Sequence, residues 1–484
     1  FLPLFFLFTL CVTSVYSQTA SWTQLGADID GEAAGDQSGY SVSYSADGTK
    51  VAIGAFNNDG GPGSNAGHVR IYNYTPSGTA SWTQLGADIN GEASGDYSGH
   101  SVSLSADGTK VAIGAYGNDG SASNAGHVRI YNYTPSGTAS WTQLGADING
   151  EASGDNSGWS VSLSADGTKV AIGAIDNDGT AESAGHVRIY NYNGTAWTQL
   201  GADIDGEAGG LNAGDNSGLS VSLSADGTKV AIGANANDGN GFNSGHVRIY
   251  NYTPSGTASW TQLGADIDGE ASSDYSGISV SLSADGTKVA IGAYANDGNG
   301  SSSGHVRIYN YTPSGTASWT QLGADIDGEA LYDSSGMSVS LSADGTKVAI
   351  GAIGNDGTAS NAGHVRIYNY TPSGTASWTQ LGADIDGEAA TDYSGKSVSL
   401  SADGTKVAIG AYGNDGTASD AGHVRVYSLV TFSPTVTLTD NDANNIVTGS
   451  NVVTITATFS EVMASAPTIN IIGEVSNVAM TASS

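Results

Sequence analysis

The sequence predicts an all-β fold: a seven-bladed β-propeller of four-stranded blades, closed by its N-terminal strand and followed by a partial β-sandwich segment. Three observations carry this. The core Trp-Thr-Gln-Leu-Gly recurs at Trp22, Trp82, Trp141, Trp197, Trp260, Trp319 and Trp378, at intervals of 60, 59, 56, 63, 59 and 59 residues. A fixed period of this kind marks a repeat architecture. Each unit holds four short segments between Gly-, Asp- and Asn-rich turns, with no helical period and no stretch long enough for a crossover helix. Four consecutive antiparallel strands make one propeller blade. Finally, the array begins with a Trp segment that has no inner strands before it, and ends with inner segments that have no Trp segment after them. The first strand can therefore complete the seventh blade and remove the free sheet edges.

Taken in order, residues 1–17 (FLPLFFLFTLCVTSVYS) read as a secretory leader that lacks its own start, with cleavage before Gln18. The run is too short to span a bilayer as a mature helix. It also holds the one cysteine, Cys11, so the mature chain is expected to have no disulfide and no thiol chemistry.

The propeller is expected over 18–430. In its first unit, Trp22 to Ile29 is an extended segment anchored by Leu25 and Ile29, and 30–39 (DGEAAGDQSG) is turn chemistry throughout. Tyr40 to Ser45 alternates, Val42 and Tyr44 against Ser41, Ser43 and Ser45. Asp47-Gly48 is a hairpin turn. Lys50 to Ala55 alternates again, a Gly/Asn/Asp loop follows, and His68 to Tyr74 sets Val69 and Ile71 against His68, Arg70, Tyr72 and Tyr74. Inner strands crowd the axis, so the small Ser-Val-Ser strand is placed innermost and the Trp strand outermost. From 434 to 484 the composition changes to alternating Val, Thr and Ile without Trp, Tyr, Lys or Arg, which reads as a truncated second β domain.

The chain of 484 residues carries a formal net charge of −32. All 15 Lys and Arg lie in the repeats, against 43 of the 47 acidic residues. Such a surface repels nucleic acid and anionic lipid and suits solubility or cation binding.

The unit SGYSVSYSADGTKVAIGA, a loop, GHVRIYNY and then Trp-Thr-Gln resembles the FG-GAP-type repeats of bacterial surface proteins and integrin α-chain propellers. Gly39-Tyr40-Ser41-Val42 stands where that family has Gly-x-Ser-Val, and Ile53-Gly54-Ala55 where it has Val-Gly-Ala. The resemblance covers 21 to about 430 and implies a propeller displayed outside the cell. It departs in three places. Ser38 and its equivalents replace the family's Phe. The Pro after Gly-Ala is absent. Around Asp47-Gly48 the family's calcium loop has Ser43, Ser45 and Val51 at ligand positions, so that calcium site does not carry over. The segment from Pro434 looks like the start of a bacterial immunoglobulin-like adhesion module.

Within the copied scaffold a few loop positions vary, and binding residues favour loops on a rigid frame. Position 40 runs Tyr40, His100, Trp159, Leu219, Ile278, Met337 and Lys396; these are the candidate ligand-face residues. Position 37 varies likewise, and the fourth copy inserts residues around 209–213. Asp28, Asp30, Glu32 and Asp36, with their repeats, place hard oxygen ligands at short spacing and are the calcium candidates; the same residues also suit tight turns and amide caps. His68 and Arg70 recur in every copy and are expected to form a structural network, with Arg paired to a loop carboxylate. The Trp residues are expected to pack between blades. Near-identical blades offer no asymmetric Ser-His-acid set, and the position-40 ring contains no Asp or Glu.

The expected function is therefore a non-catalytic, secreted or cell-surface adhesion protein that engages an extracellular protein or glycan through the loop face, as a monomeric propeller without nucleic acid and without membrane insertion after leader cleavage. Calcium is the one cofactor suggested. A glycan-active propeller enzyme and a purely structural surface module are the alternatives.

Overall fold

The structure, a computed structural model, describes residues 20–76, 81–135, 140–207, 214–254, 259–313, 318–372, 377–431, 436–440 and 455–459. The expected leader, the fourth-copy insertion and most of the C-terminal segment lie outside the described residues. The ring, Trp22–Leu429, is one compact unit.

Seven antiparallel sheets follow one another along the chain. In the first blade the order from the inside is Ser41–Tyr44, Lys50–Ala55, His68–Thr75, and an outer strand in two pieces, Ser81–Gln84 and Ile89–Asn90. Val42 pairs with Ile53, Gly54 with Val69, Tyr74 with Trp82 and Val69 with Ile89. The alternation read from the sequence sets the faces: along Ser41–Tyr44 the serines are half-buried and Val42 and Tyr44 buried. The last blade takes its outer pieces, Ala20–Gln24 and Ile29–Asp30, from the chain's start; Ile29 pairs with Val424 and Asp30 with His423. The expected ring closure is therefore present.

One expectation is corrected. The Trp22–Ile29 stretch is two short strands rather than one extended segment. Gly26 lies between them with a left-handed φ of 81°, and a Cβ there would come within 2.9 Å of the Trp82 ring of the next blade. The break turns the Leu25 carbonyl outward, where it accepts a 2.7 Å hydrogen bond from Trp82 Nε1. The same bond recurs in every blade and closes through Trp22 Nε1 to Leu381 O.

Two further rings of bonds circle the axis. Ser43 Oγ accepts from the Leu104 amide of the next inner strand, and the series closes where Ser399 Oγ accepts from the Tyr44 amide. Ala46 N donates to Ala106 O, and the chain of alanine amides returns through Ala402 N to Ala46 O. The apolar core is divided among the seven interblade spaces. The one that spans the closure packs Ile29, Val42, Val51, Ile53, Val424 and Val426, with Leu25 and Trp82 against them. Gly410 shows why that space is tight: a Cβ there would lie 1.9 Å from the Gly39 carbonyl. Fully buried Ile53 and Ile71 each contribute on the order of 1.5–3 kcal/mol by burial.

Outside the ring, Val436–Asp440 pairs antiparallel with Ile455–Phe459. The rest of the expected immunoglobulin-like segment lies outside the described residues.

Candidate functional site

Position 40 directly precedes the inner strand in five blades and lies near its start in the other two, Trp159 in Ser157–Leu163 and Met337 in Ser335–Leu341, so its seven residues stand where those strands meet the loop face. The backbone there is fixed. Gly39 N donates to Gly54 O, and Tyr40 N to Gln37 O. Residue 37 has a left-handed φ in every copy, 55° at Gln37 and 56° at Tyr97. A bulky residue in that region is uncommon and is held here by its surroundings: Tyr97 N bonds Asn65 O.

The side chains converge unevenly. Lys396 Nζ lies 4.7 Å from the Tyr40 ring centroid. Tyr40 is 5.1 Å from His100, and His100 is 4.5 Å from Trp159. Four successive members of the variable set thus form one continuous arc. Residues after the second strand, not singled out from the sequence, extend it. Phe56 is 4.4 Å from Tyr40, Tyr116 is 4.9 Å from Trp159, and Tyr412 is 5.8 Å from Tyr40. Tyr97 stacks on Tyr116 with rings 4° from parallel. The signal was available, because position 56 varies between copies as position 40 does. The other side of the mouth is aliphatic, with Leu219, Ile278 and Met337 half-buried. Beside it, Asn235 Oδ1 is buried without a hydrogen-bond partner.

His100 is the buried member, 8% exposed. Its Nδ1 lies 3.1 Å from Trp159 O. Burial above all pushes its pKa down to about 4, with the Lys396 charge acting the same way against that bond; the ring is neutral at physiological pH. The mouth therefore presents aromatic faces and one ammonium, with no carboxylate from the position-40 set.

The calcium candidates are dispersed among different partners. Asp36 is buried and its Oδ2 accepts from Ala33 N and Asn58 Nδ2. The Asp30 carbonyl accepts from Arg70 Nη2, and Glu32 Oε1 lies 3.5 Å from Arg70 Nη1. Asp28 Oδ1 accepts from Gln24 Nε2, while its Oδ2 faces His423. The expected pairing of Arg with a loop carboxylate is present in every blade. The seven strand histidines face separate carboxylate pairs, one group to each blade.

Residues 265–309, from the end of one outer strand through the inner three strands of the next blade, match the family described as the FG-GAP repeat. No curated protein matches the chain. Among the described residues no helix is long and apolar enough to cross a membrane.

Proposed function

We propose that this propeller is an extracellular, non-catalytic binding module that engages a glycan or protein partner at its loop-face mouth. The observation that carries this is the aromatic arc Tyr40–His100–Trp159, built from positions that vary within an otherwise copied scaffold. Seven identical blades would give a mouth of sevenfold symmetry; the variable residues break it into an aromatic side, a cationic point at Lys396 and an aliphatic side. Half-buried aromatic rings with a rim of adaptable polar groups suit a sugar face or an interfacial side chain. The immunoglobulin-like segment serves in this reading as a spacer or a further adhesion domain.

Glycan and extracellular-protein arrays probed with the wild type and with Trp159→Ala and Tyr40→Ala test it. Each variant is expected to weaken binding at least tenfold, about 1.4 kcal/mol. Binding that both variants retain moves the site elsewhere. Cleavage of an arrayed glycan favours the enzyme, and a blank array favours the structural module.

A further inference from the structure

We propose that every blade carries a divalent transition-metal site, formed in the first blade by Glu32, His68 and Asp88 and repeated around the ring to Glu388, His423 and Asp28. These are three elements of different origin. Glu32 lies on the connection that enters the blade from its neighbour, His68 opens the third strand, and Asp88 immediately precedes the second piece of the outer strand.

The histidine is the observation that points to a ligand. His68 is 1% exposed, and its Nε2 is buried without a hydrogen-bond partner. Nδ1 faces two carboxylate oxygens, Glu32 Oε2 at 3.9 Å and Asp88 Oδ2 at 4.0 Å. Those distances are too long for hydrogen bonds. They recur at 3.9 Å for both carboxylates of His364 and both of His423. With the proton on Nε2, the Nδ1 lone pair faces two carboxylate oxygens, and a cation among the three atoms would take all three as ligands.

The other oxygens of the carboxylates are already committed. Asp88 Oδ1 accepts from Gln84 Nε2, and Glu32 Oε1 pairs with Arg70. This leaves one oxygen of each aimed at the ring and fixes its direction, as partners behind a metal ligand do. Both carboxylates are partly exposed, with side chains at 48% and 34%, so an ion can reach the group from solvent. Only seven groups of this kind need be invoked, and each has its three ligand atoms within 4.8 Å of one another. One imidazole with two carboxylates suits zinc or manganese; calcium takes six to eight oxygens.

The full chain, stripped with EDTA, is titrated by calorimetry with Zn²⁺, Mn²⁺ or Ca²⁺ alone. Uptake of about seven Zn²⁺ or Mn²⁺ per chain is expected. His127→Gln is expected to lower that number by one and leave the rest. Asp147→Asn changes only a partly exposed ligand of the same group; it is expected to do likewise and guards against a misfolded histidine variant. No uptake of Zn²⁺ or Mn²⁺, uptake of Ca²⁺ alone, or an unchanged stoichiometry in both variants overturns the proposal.

Discussion

A ring nitrogen at the mouth shows how burial writes a pH dependence into one residue. The groups facing His100 are Tyr40, Phe56, Tyr116, Trp159 and the Lys396 ammonium, none of which stabilises an imidazolium by opposite charge. Its folded pKa of about 4 lies below the ordinary value of about 6.5, so the unfolded chain takes up the proton first. The stability from the neutral, buried ring is complete above about pH 6.5 and is lost as the pH falls towards 4. His100→Phe should remove that dependence. Between about pH 7 and about pH 4.5 the wild type is expected to lose about 1–3 kcal/mol more stability than the variant, read by urea unfolding at the two pH values. Equal losses would refute it. At this scale much was legible: copies that differ at position 40 had to differ for a local reason, and the strand register placed them together. Asp88 and Glu32 beside His68 were not legible. They lie 20 residues after it and 36 before it, and only the crossing of the interblade connection brings them to one ring.

The outer strand is the element where local chemistry and tertiary contact pull apart. By composition Trp-Thr-Gln-Leu-Gly-Ala-Asp-Ile is a single extended run. The break at Gly26 is set by the indole of the following blade, which no window of eight residues contains. The three inner strands were legible almost residue by residue, because alternation and the Asp-Gly hairpin are local signals. The Trp–Leu bond is a test of the element. Trp82→Phe keeps most of the packing in the closing interblade space but leaves the Leu25 carbonyl without its donor. A loss of about 1–3 kcal/mol is expected, covering the unmet acceptor and the smaller ring. Denaturant unfolding measures it, and a change below about 0.5 kcal/mol would mean that water replaces the indole at no cost.

At the scale of the molecule the circle is completed by residues some 400 positions apart. Leu25 N donates to Val426 O at 2.7 Å, and Gly31 N to Gly422 O. A chain that starts at Gly31 lacks Leu25 and Ile29 from one interblade space and leaves His423–Thr431 as an open edge. It is expected to melt at least 10 °C lower or to associate through that edge, as size-exclusion chromatography and thermal melting would reveal; a monomer with an unchanged melt would count against the closing strand. The count of blades and the closure were legible because the offset between the first and last copies is visible as text, whereas the immunoglobulin-like reading of the tail falls outside the described residues. The antiparallel closure also fixes what the ring does to reach. The polypeptide enters at Ala20 and leaves at Thr431 on paired neighbouring strands, which stand about 4.8 Å apart. About 400 residues of chain therefore add almost no distance between their own ends. More blades of the same kind would widen the ring and leave its two ends as close as they are now.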